Sequence, residues 1–389
     1  MTLDPGNVER TGTSISTVGI LGGGQLARML ALAGASLGVR FLVVDNAADA
    51  CASQVAPLLA ADWRDFAALE KFAAAIDVAT FDFENVPAET ARWLSEHTRV
   101  SPNPQALALA QDRLAEKTMF RQLGLETPAF ATVDSQSDLR QAAQQIGYPC
   151  VLKTRRLGYD GKGQYRLGSE QDIDAAWGAL GGAPSILEAW VSFDREVSIV
   201  AARGRDGAFA AYPIIQNWHA HGILSTSLAP APDSTELARE AEKHARAIAE
   251  HLDYIGVFAL ELFVREGRLL GNEMAPRVHN SGHWTIEGAV CSQFENHVRA
   301  VLGLPLGDTS ARGTSVMMNW IGELPEASGV LAQAHAHWHD YGKTPRAGRK
   351  VGHATICADT PEQLRERLVR VAKAIGREGQ IAPVLAALE

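Results

Sequence analysis

Apolar positions along this chain follow two regimes. From residue 16 to about 104, short apolar runs alternate with helical stretches: a run at 16–21, a helix to about Gly38, a run at 40–44 closing on Asp45, a helix at 65–75, a run at 78–81, then a further helix and strand. Strands separated by helices predict βαβ units, hence a small parallel sheet with helices on both faces. Ser101-Pro102-Asn103-Pro104 ends that pattern. Helices are expected next at 105–123, carrying Asp112, Arg113 and Lys117, and at 137–146. Beyond 150 the apolar runs follow one another more directly, at 185–191, 257–264, 269–275 and 315–321 among others, with one Ala- and Glu-rich helix at 235–252. Consecutive strands predict hairpins and an α+β arrangement. A disordered leader is expected at 1–14, ahead of the α/β domain, and the length of the chain leaves room for one or two further domains.

The most informative stretch is 257–284. Two apolar runs flank Arg265-Glu266-Gly267-Arg268, which reads as a β-hairpin with a short glycine-containing turn. Each run carries one carboxylate, Glu261 and Glu273, and a carboxylate in an apolar setting is costly unless paired or bound to a cation. Register decides whether they meet. A three-residue loop, 266–268, pairs 265 with 269 and sets Glu261 opposite Glu273. A two-residue loop puts them on opposite faces, because side chains along a strand alternate. The first register, with Asn272 and Asn280 nearby, makes an all-oxygen site suited to Mg²⁺ bridging phosphates. Pro276-Arg277-Val278-His279-Asn280-Ser281-Gly282-His283-Trp284 follows directly, aperiodic and dense in donors, as an anion-binding loop is.

Four other stretches carry chemistry. Lys153 lies on an apolar strand entering a loop with Gly158, Gly161 and Gly163. Such spacing lets backbone N–H groups close on phosphate oxygens while the lysine supplies a point charge; it is not a Walker loop, which leads into a helix. Gly22-x-Gly24-x-x-Ala27 with Asp45 about twenty residues on approaches a dinucleotide fingerprint, although any phosphate at a helix N-terminus is served as well. Glu84, just past the carboxyl end of a strand, is a plausible substrate contact. Finally, Lys343, Arg346, Arg349 and Lys350 crowd four positive charges into eight residues, which suits a small phosphorylated ligand. The chain as a whole carries −9, so it lacks the basic bias of a nucleic-acid binder. Its four cysteines are scattered, signalling neither a disulfide framework nor a zinc site, and no apolar run is long enough for a membrane span.

The pieces Ile20-Leu21-Gly22-Gly23-Gly24-Gln25-Leu26, Gly158-Tyr159-Asp160-Gly161-Lys162-Gly163-Gln164, 272–284 and Gly348-Arg349-Lys350-Val351-Gly352-His353, in that order, resemble the ATP-grasp superfamily. Within it the likeness is to the N5-carboxyaminoimidazole ribonucleotide synthetase family of purine biosynthesis. The resemblance implies a pre-ATP-grasp α/β domain at 15–111, a two-subdomain ATP-grasp unit at 112–308 with its lid subdomain at about 124–192, and a small C-terminal domain at 309–389. It implies a ligase that uses ATP and bicarbonate to carboxylate 5-aminoimidazole ribonucleotide through carboxyphosphate, with Mg²⁺, in a cytoplasmic homodimer. Arg113 and Lys153 would neutralise ATP phosphates under a lid of residues 158–164. Glu188, Ala189, Trp190 and Val191 would hold adenine, Glu196 the ribose, with His219 and Asn272 near the nucleotide and Glu261 and Glu273 on Mg²⁺. Glu84, Tyr159, Asp160, Arg277, His279, Asn280 and Ser281 would face the acceptor and bicarbonate, and Lys343, Arg349 and Lys350 the 5′-phosphate. Lys153, Asp160 and Arg277 would be the catalytic groups. The rivals are a formate-dependent glycinamide ribonucleotide transformylase and, from residues 18–45 alone, a nicotinamide-dependent oxidoreductase.

Overall fold

The computed structural model describes residues 16–156, 158 and 163–389; the expected leader and Tyr159, Asp160, Gly161 and Lys162 lie outside the described residues. Strands β1 (Thr17–Leu21), β2 (Arg40–Asp45), β3 (Leu58–Ala60), β4 (Val78–Phe81) and β5 (Arg99–Val100) form a parallel sheet in the order β3-β2-β1-β4-β5. That order brings the carboxyl ends of β1 and β4 together where the strand sequence reverses, the place where open α/β sheets bind ligands.

The helix expected at 105–123 is two helices, Pro104–Ala110 and Arg113–Gln122. Asp112 explains the break. Its carboxylate accepts the N–H groups of Leu114 and Ala115, satisfying donors that a new helix leaves unpaired. Strands β6 (Phe130–Val133), β7 (Cys150–Thr154), β8 (Gln164–Leu167) and β9 (Ser185–Ala189) then make an antiparallel sheet in the order β6-β9-β7-β8. It has its own core, in which Val133, Leu139, Leu152 and Leu187 are buried.

The third sheet is antiparallel and joins β10 (Arg195–Arg203), β11 (Phe209–Ala211), β12 (Ile215–Ala220), β13 (Ile223–Ala229), β14 (Gly256–Arg265), β15 (Arg268–Ala275), β16 (Thr314–Ile321), β17 (Ala336–Asp340) and β18 (Lys350–Ala358). Its order is β15-β14-β10-β12-β13-β16-β18-β17, with β11 beside β10. The division expected near 308 runs through this sheet, since Thr226 of β13 lies opposite Met318 of β16. Helix Gln25–Ala35 of the first sheet shares a core with helix Gln293–Leu302 and β14, through Leu30, Val298, Val301 and Val257. Among the described residues no helix is long and apolar enough to cross a membrane.

The β14–β15 hairpin corrects one expectation and keeps its consequence. Arg265 pairs with Arg268, so the loop has two residues, not three. Glu266 and Gly267 both have positive φ, 52° and 74°, the conformation favoured in two-residue hairpins. That loop alone would turn Glu261 and Glu273 to opposite faces. However, the register shifts after Leu262 and Gly271, leaving Asn272 as an extra residue, and Glu261 comes to lie opposite Glu273. The bulge does what the longer loop was expected to do.

Candidate active site

A cavity of about 1550 Å³ opens where the three sheets converge, lined by residues of β1, β4, β7, β9, β14 and β15 or their ends and by the loop before β18. At one end Lys153 of β7 sits 3.0 Å from Glu188 of β9, and Lys117 of helix Arg113–Gln122 sits 3.3 Å from the same carboxylate oxygen. Burial pushes the Glu188 carboxyl up, but the two lysine charges outweigh it and hold it at about 2. Lys117 also donates to the Asn272 carbonyl, 3.0 Å away, which ties the ion pair to the bulge. Arg113, the first residue of its helix, donates to Glu273 (2.9 Å) and to the Gly158 carbonyl (3.4 Å). One turn on, Glu116 is buried and accepts the Met274 N–H at 2.7 Å. Burial, then the nearby Glu273 charge, push its carboxyl up to about 8.

Glu261 and Glu273 both line the cavity from adjacent strands. His279 Nε2 lies 3.0 Å from Glu261. Burial opposes ionisation of Glu261, yet the hydrogen bond and charge of His279 outweigh it and lower its pKa. Among the described residues no group of three or more His, Cys, Asp or Glu is placed to hold a metal by itself. Two facing carboxylates therefore fit a cation that completes its shell with phosphate oxygens and water, as Mg²⁺ does. Glu196 and His219, on paired strands, are joined at 2.6 Å.

The other end is built differently. Arg277 pairs through Nε with Glu84, and this outweighs burial in lowering the Glu84 pKa. Asp82 is buried beside them; burial lifts its carboxyl to about 6, against the Ala27 N–H it accepts at 3.0 Å. Gly22 and Gly24 are glycines for this reason, since a Cβ on either would come within 2.8 Å of an Asp82 oxygen. Asp45 is occupied too, accepting the N–H groups of Gly23 (2.6 Å) and Ala47 (2.8 Å). The glycine turn thus serves internal carboxylates, and both oxygens of the carboxylate that a nicotinamide enzyme would turn to ribose already accept backbone N–H groups. Lys343 donates to Gln25 at the start of the first helix, and Arg346, Arg349 and Lys350 line the same end of the cavity.

Three family models match in sequence: a ribonucleotide synthetase preATP-grasp domain over 15–111, an ATP-grasp domain over 118–294 and a phosphoribosylaminoimidazole carboxylase C-terminal domain over 315–367. N5-carboxyaminoimidazole ribonucleotide synthase of Pseudomonas aeruginosa is 52% identical over 343 residues, 88% of this chain and 95% of that one. The chain belongs to the N5-carboxyaminoimidazole ribonucleotide synthase family. Among solved members, the synthetase from Thermus thermophilus superposes with a TM-score of 0.89 at 52% identity, over 92% of this chain and 98% of that one. The synthase from Aspergillus clavatus in complex with ADP and 5-aminoimidazole ribonucleotide does so with a TM-score of 0.86 at 30% identity, over 93% and 99%. The ATP-grasp fold with its pre-ATP-grasp domain is as the motifs predict.

Within this synthase-family chain one cavity gathers Arg113, Lys153, Gly158, Gln164, Glu188, Ala189, Trp190, Val191, Glu196, His219, Asn272 and Glu273 together with Glu84, Arg277, His279, Asn280, Lys343, Arg349 and Lys350. Ser281 differs: it is fully buried and does not line the cavity. Its hydroxyl accepts from Ser198 (2.8 Å) and lies 2.9 Å from His279 Nδ1. Ser198 in turn accepts from Asn217, so Ser281 is the last link of a buried chain behind His279. Asn280 lines the cavity, but its amide is engaged with Asn319. Sequence reasoning passes over Asp82 and Glu116 and leaves Lys117 without a role. The signal for the last two is spacing, since Arg113, Glu116 and Lys117 fall at i, i+3 and i+4 on one helix face.

Proposed function

We propose that this chain carboxylates 5-aminoimidazole ribonucleotide at its 5-amino nitrogen, using ATP and bicarbonate, to give N5-carboxyaminoimidazole ribonucleotide, ADP and phosphate. The observation that carries the reading is one cavity lined by the facing Glu261 and Glu273, by Lys153 and by a cluster of four basic residues. Lys153 and Arg113 would neutralise ATP phosphates, and the β6–β9 sheet would cover the nucleotide as a lid subdomain. Adenine would lie against Trp190 and the backbone at 189–191, with ribose hydroxyls donating to Glu196. Glu261 and Glu273 would hold Mg²⁺, which when bound offsets charge on the phosphoryl group in transfer.

Arg277, steered by Glu84, would face bicarbonate and the acceptor amine beside His279. Lys343, Arg349 and Lys350 would bind the 5′-phosphate, with Gln25 placing Lys343. Carboxyphosphate hydrolyses readily, so a site that excludes water protects it until the amine attacks. Assembly as a cytoplasmic homodimer rests on the family resemblance. The test is ADP release from ATP and Mg²⁺, with and without bicarbonate and the ribonucleotide. ADP release that requires both, with labelled bicarbonate appearing in the carbamate, is expected. Release driven instead by formate and glycinamide ribonucleotide would overturn the acceptor assignment.

A further inference from the structure

Two histidines of the motifs above have no part in that chemistry. His283 and His353 are fully buried, and burial together with neighbouring positive charge holds both well below the ordinary imidazole pKa, so they are neutral. The Tyr341 hydroxyl lies between them, 3.1 Å from His283 Nδ1 and 2.8 Å from His353 Nδ1. His283 Nδ1 also receives the Asn280 amide nitrogen at 3.1 Å. Asn280 and Asn319 exchange two amide hydrogen bonds, at 3.0 and 2.7 Å, and Asn319 donates further to the Leu224 carbonyl. Five polar side chains are thereby joined in a nearly dry cluster, Tyr341 being 1% and Asn319 2% exposed.

Such a cluster is an expensive way to fill a core. The Nε2 atoms of His283 and His353 are buried without a partner among the described residues, and a buried polar atom left unpaired costs stability. Apolar side chains of similar volume would stabilise the fold more; what a polar cluster adds is one fixed geometry. The connections show which geometry. Tyr341 stands immediately before the loop carrying Lys343, Arg346 and Arg349, and its N–H donates to Val351 across that loop's base (3.0 Å). His353 lies three residues beyond Lys350 on β18. Asn280 and His283 belong to the loop that carries Arg277 and His279. Asn319 fixes that loop to β16.

We propose that Tyr341 and Asn319 are positioning residues which lock the 277–283 loop to the basic 342–350 loop, so that a ribonucleotide held by its phosphate presents its amine in register with the activated carboxyl group. Neither residue lines the cavity; Tyr341 acts through His283 and Asn319 through Asn280. The inference rests on the reaction proposed above, and the yield of carbamate per ADP released separates the two. A parent enzyme that makes no carbamate overturns the reaction. Given a productive parent, Tyr341→Phe, which deletes only the bridging oxygen, is expected to lower carbamate per ADP about tenfold, because a small misalignment lets water take the intermediate, while KM for ATP stays at the parent value. Asn319→Leu should act in the same direction, and it decides the matter if Tyr341→Phe does not fold. A purely structural role would lower the amount of active enzyme and leave the ratio untouched. A parental carbamate-to-ADP ratio in folded Tyr341→Phe and Asn319→Leu overturns the proposal.

Discussion

At one end of the cavity His219 lies against Glu196, which outweighs burial and raises the histidine's pKa. At the other, His283 and His353 have no carboxylate partner among the described residues, and burial drives their pKa values far down. His219 is thus coupled to a carboxylate, whereas these two buried imidazoles are not. The division extends to neighbouring groups. The proposed nucleotide half pairs its charges within itself: Lys117 and Lys153 on Glu188, Arg113 on Glu273. The proposed acceptor half has an ion pair of its own, Arg277 on Glu84, and behind its basic loop stand uncharged imidazole, phenol and amide groups. Pairs that are already satisfied can exchange partners when a polyanion and its cation arrive. A neutral backing holds shape without competing for the ribonucleotide phosphate. Changes in the first half should therefore act on phosphoryl transfer, and changes in the second on acceptor binding and alignment.

The sharpest test is Glu273→Gln. Glu273 is 42% exposed at its side chain, so the fold should tolerate an amide and Tm should stay close to the parent. Turnover is expected to fall about 1000-fold, in keeping with the several kcal/mol of charge stabilisation a bound cation supplies. Retained turnover would remove Glu273 from the metal site and erase the distinction between the halves. Arg349→Ala should do less, raising KM for the ribonucleotide about 10- to 100-fold, as loss of a charged hydrogen bond to phosphate does. KM for ATP should not move; an equal rise in both constants would show that the two halves do not divide the substrates in this way.

Much of this division was legible in the chain, because it rests on short local patterns. Lys153 before a glycine-rich loop, two apolar runs each with one glutamate, and a basic loop can all be read without knowing what packs against them. The pairing of Glu261 with Glu273 was also legible, but for the wrong reason. A bulge residue such as Asn272 looks like any strand residue, and only the competition between a two-residue turn and a shared carboxylate face reveals it. Long-range partners were not legible at all. Asp82 meets the glycine turn from 55 residues beyond Ala27, and Asn319 meets Asn280 across 39. Nothing periodic marks either residue. The buried chain behind His279 is made of serines and an asparagine that, in sequence, resemble ordinary strand polar positions.

The smallest effect is also the most direct reading of the two halves. In an NMR titration of the imidazole Cε1–H signals, His219 should titrate above the ordinary 6.5 of a free imidazole, while His283 and His353 stay neutral well below it. Glu196→Gln should bring His219 below 6.5, since burial then acts with less opposition. The sign for stability follows. A histidine with a raised native pKa binds its proton more tightly folded than unfolded, so its contribution is full below 6.5 and is lost as pH rises through the native value. His283 and His353 act the other way, contributing above 6.5 and losing that contribution as pH falls toward their native values. A parent in which His219 titrates below 6.5 would show that Glu196 does not hold it charged. The two halves would then differ in their lysines and arginines but not in how they use histidine.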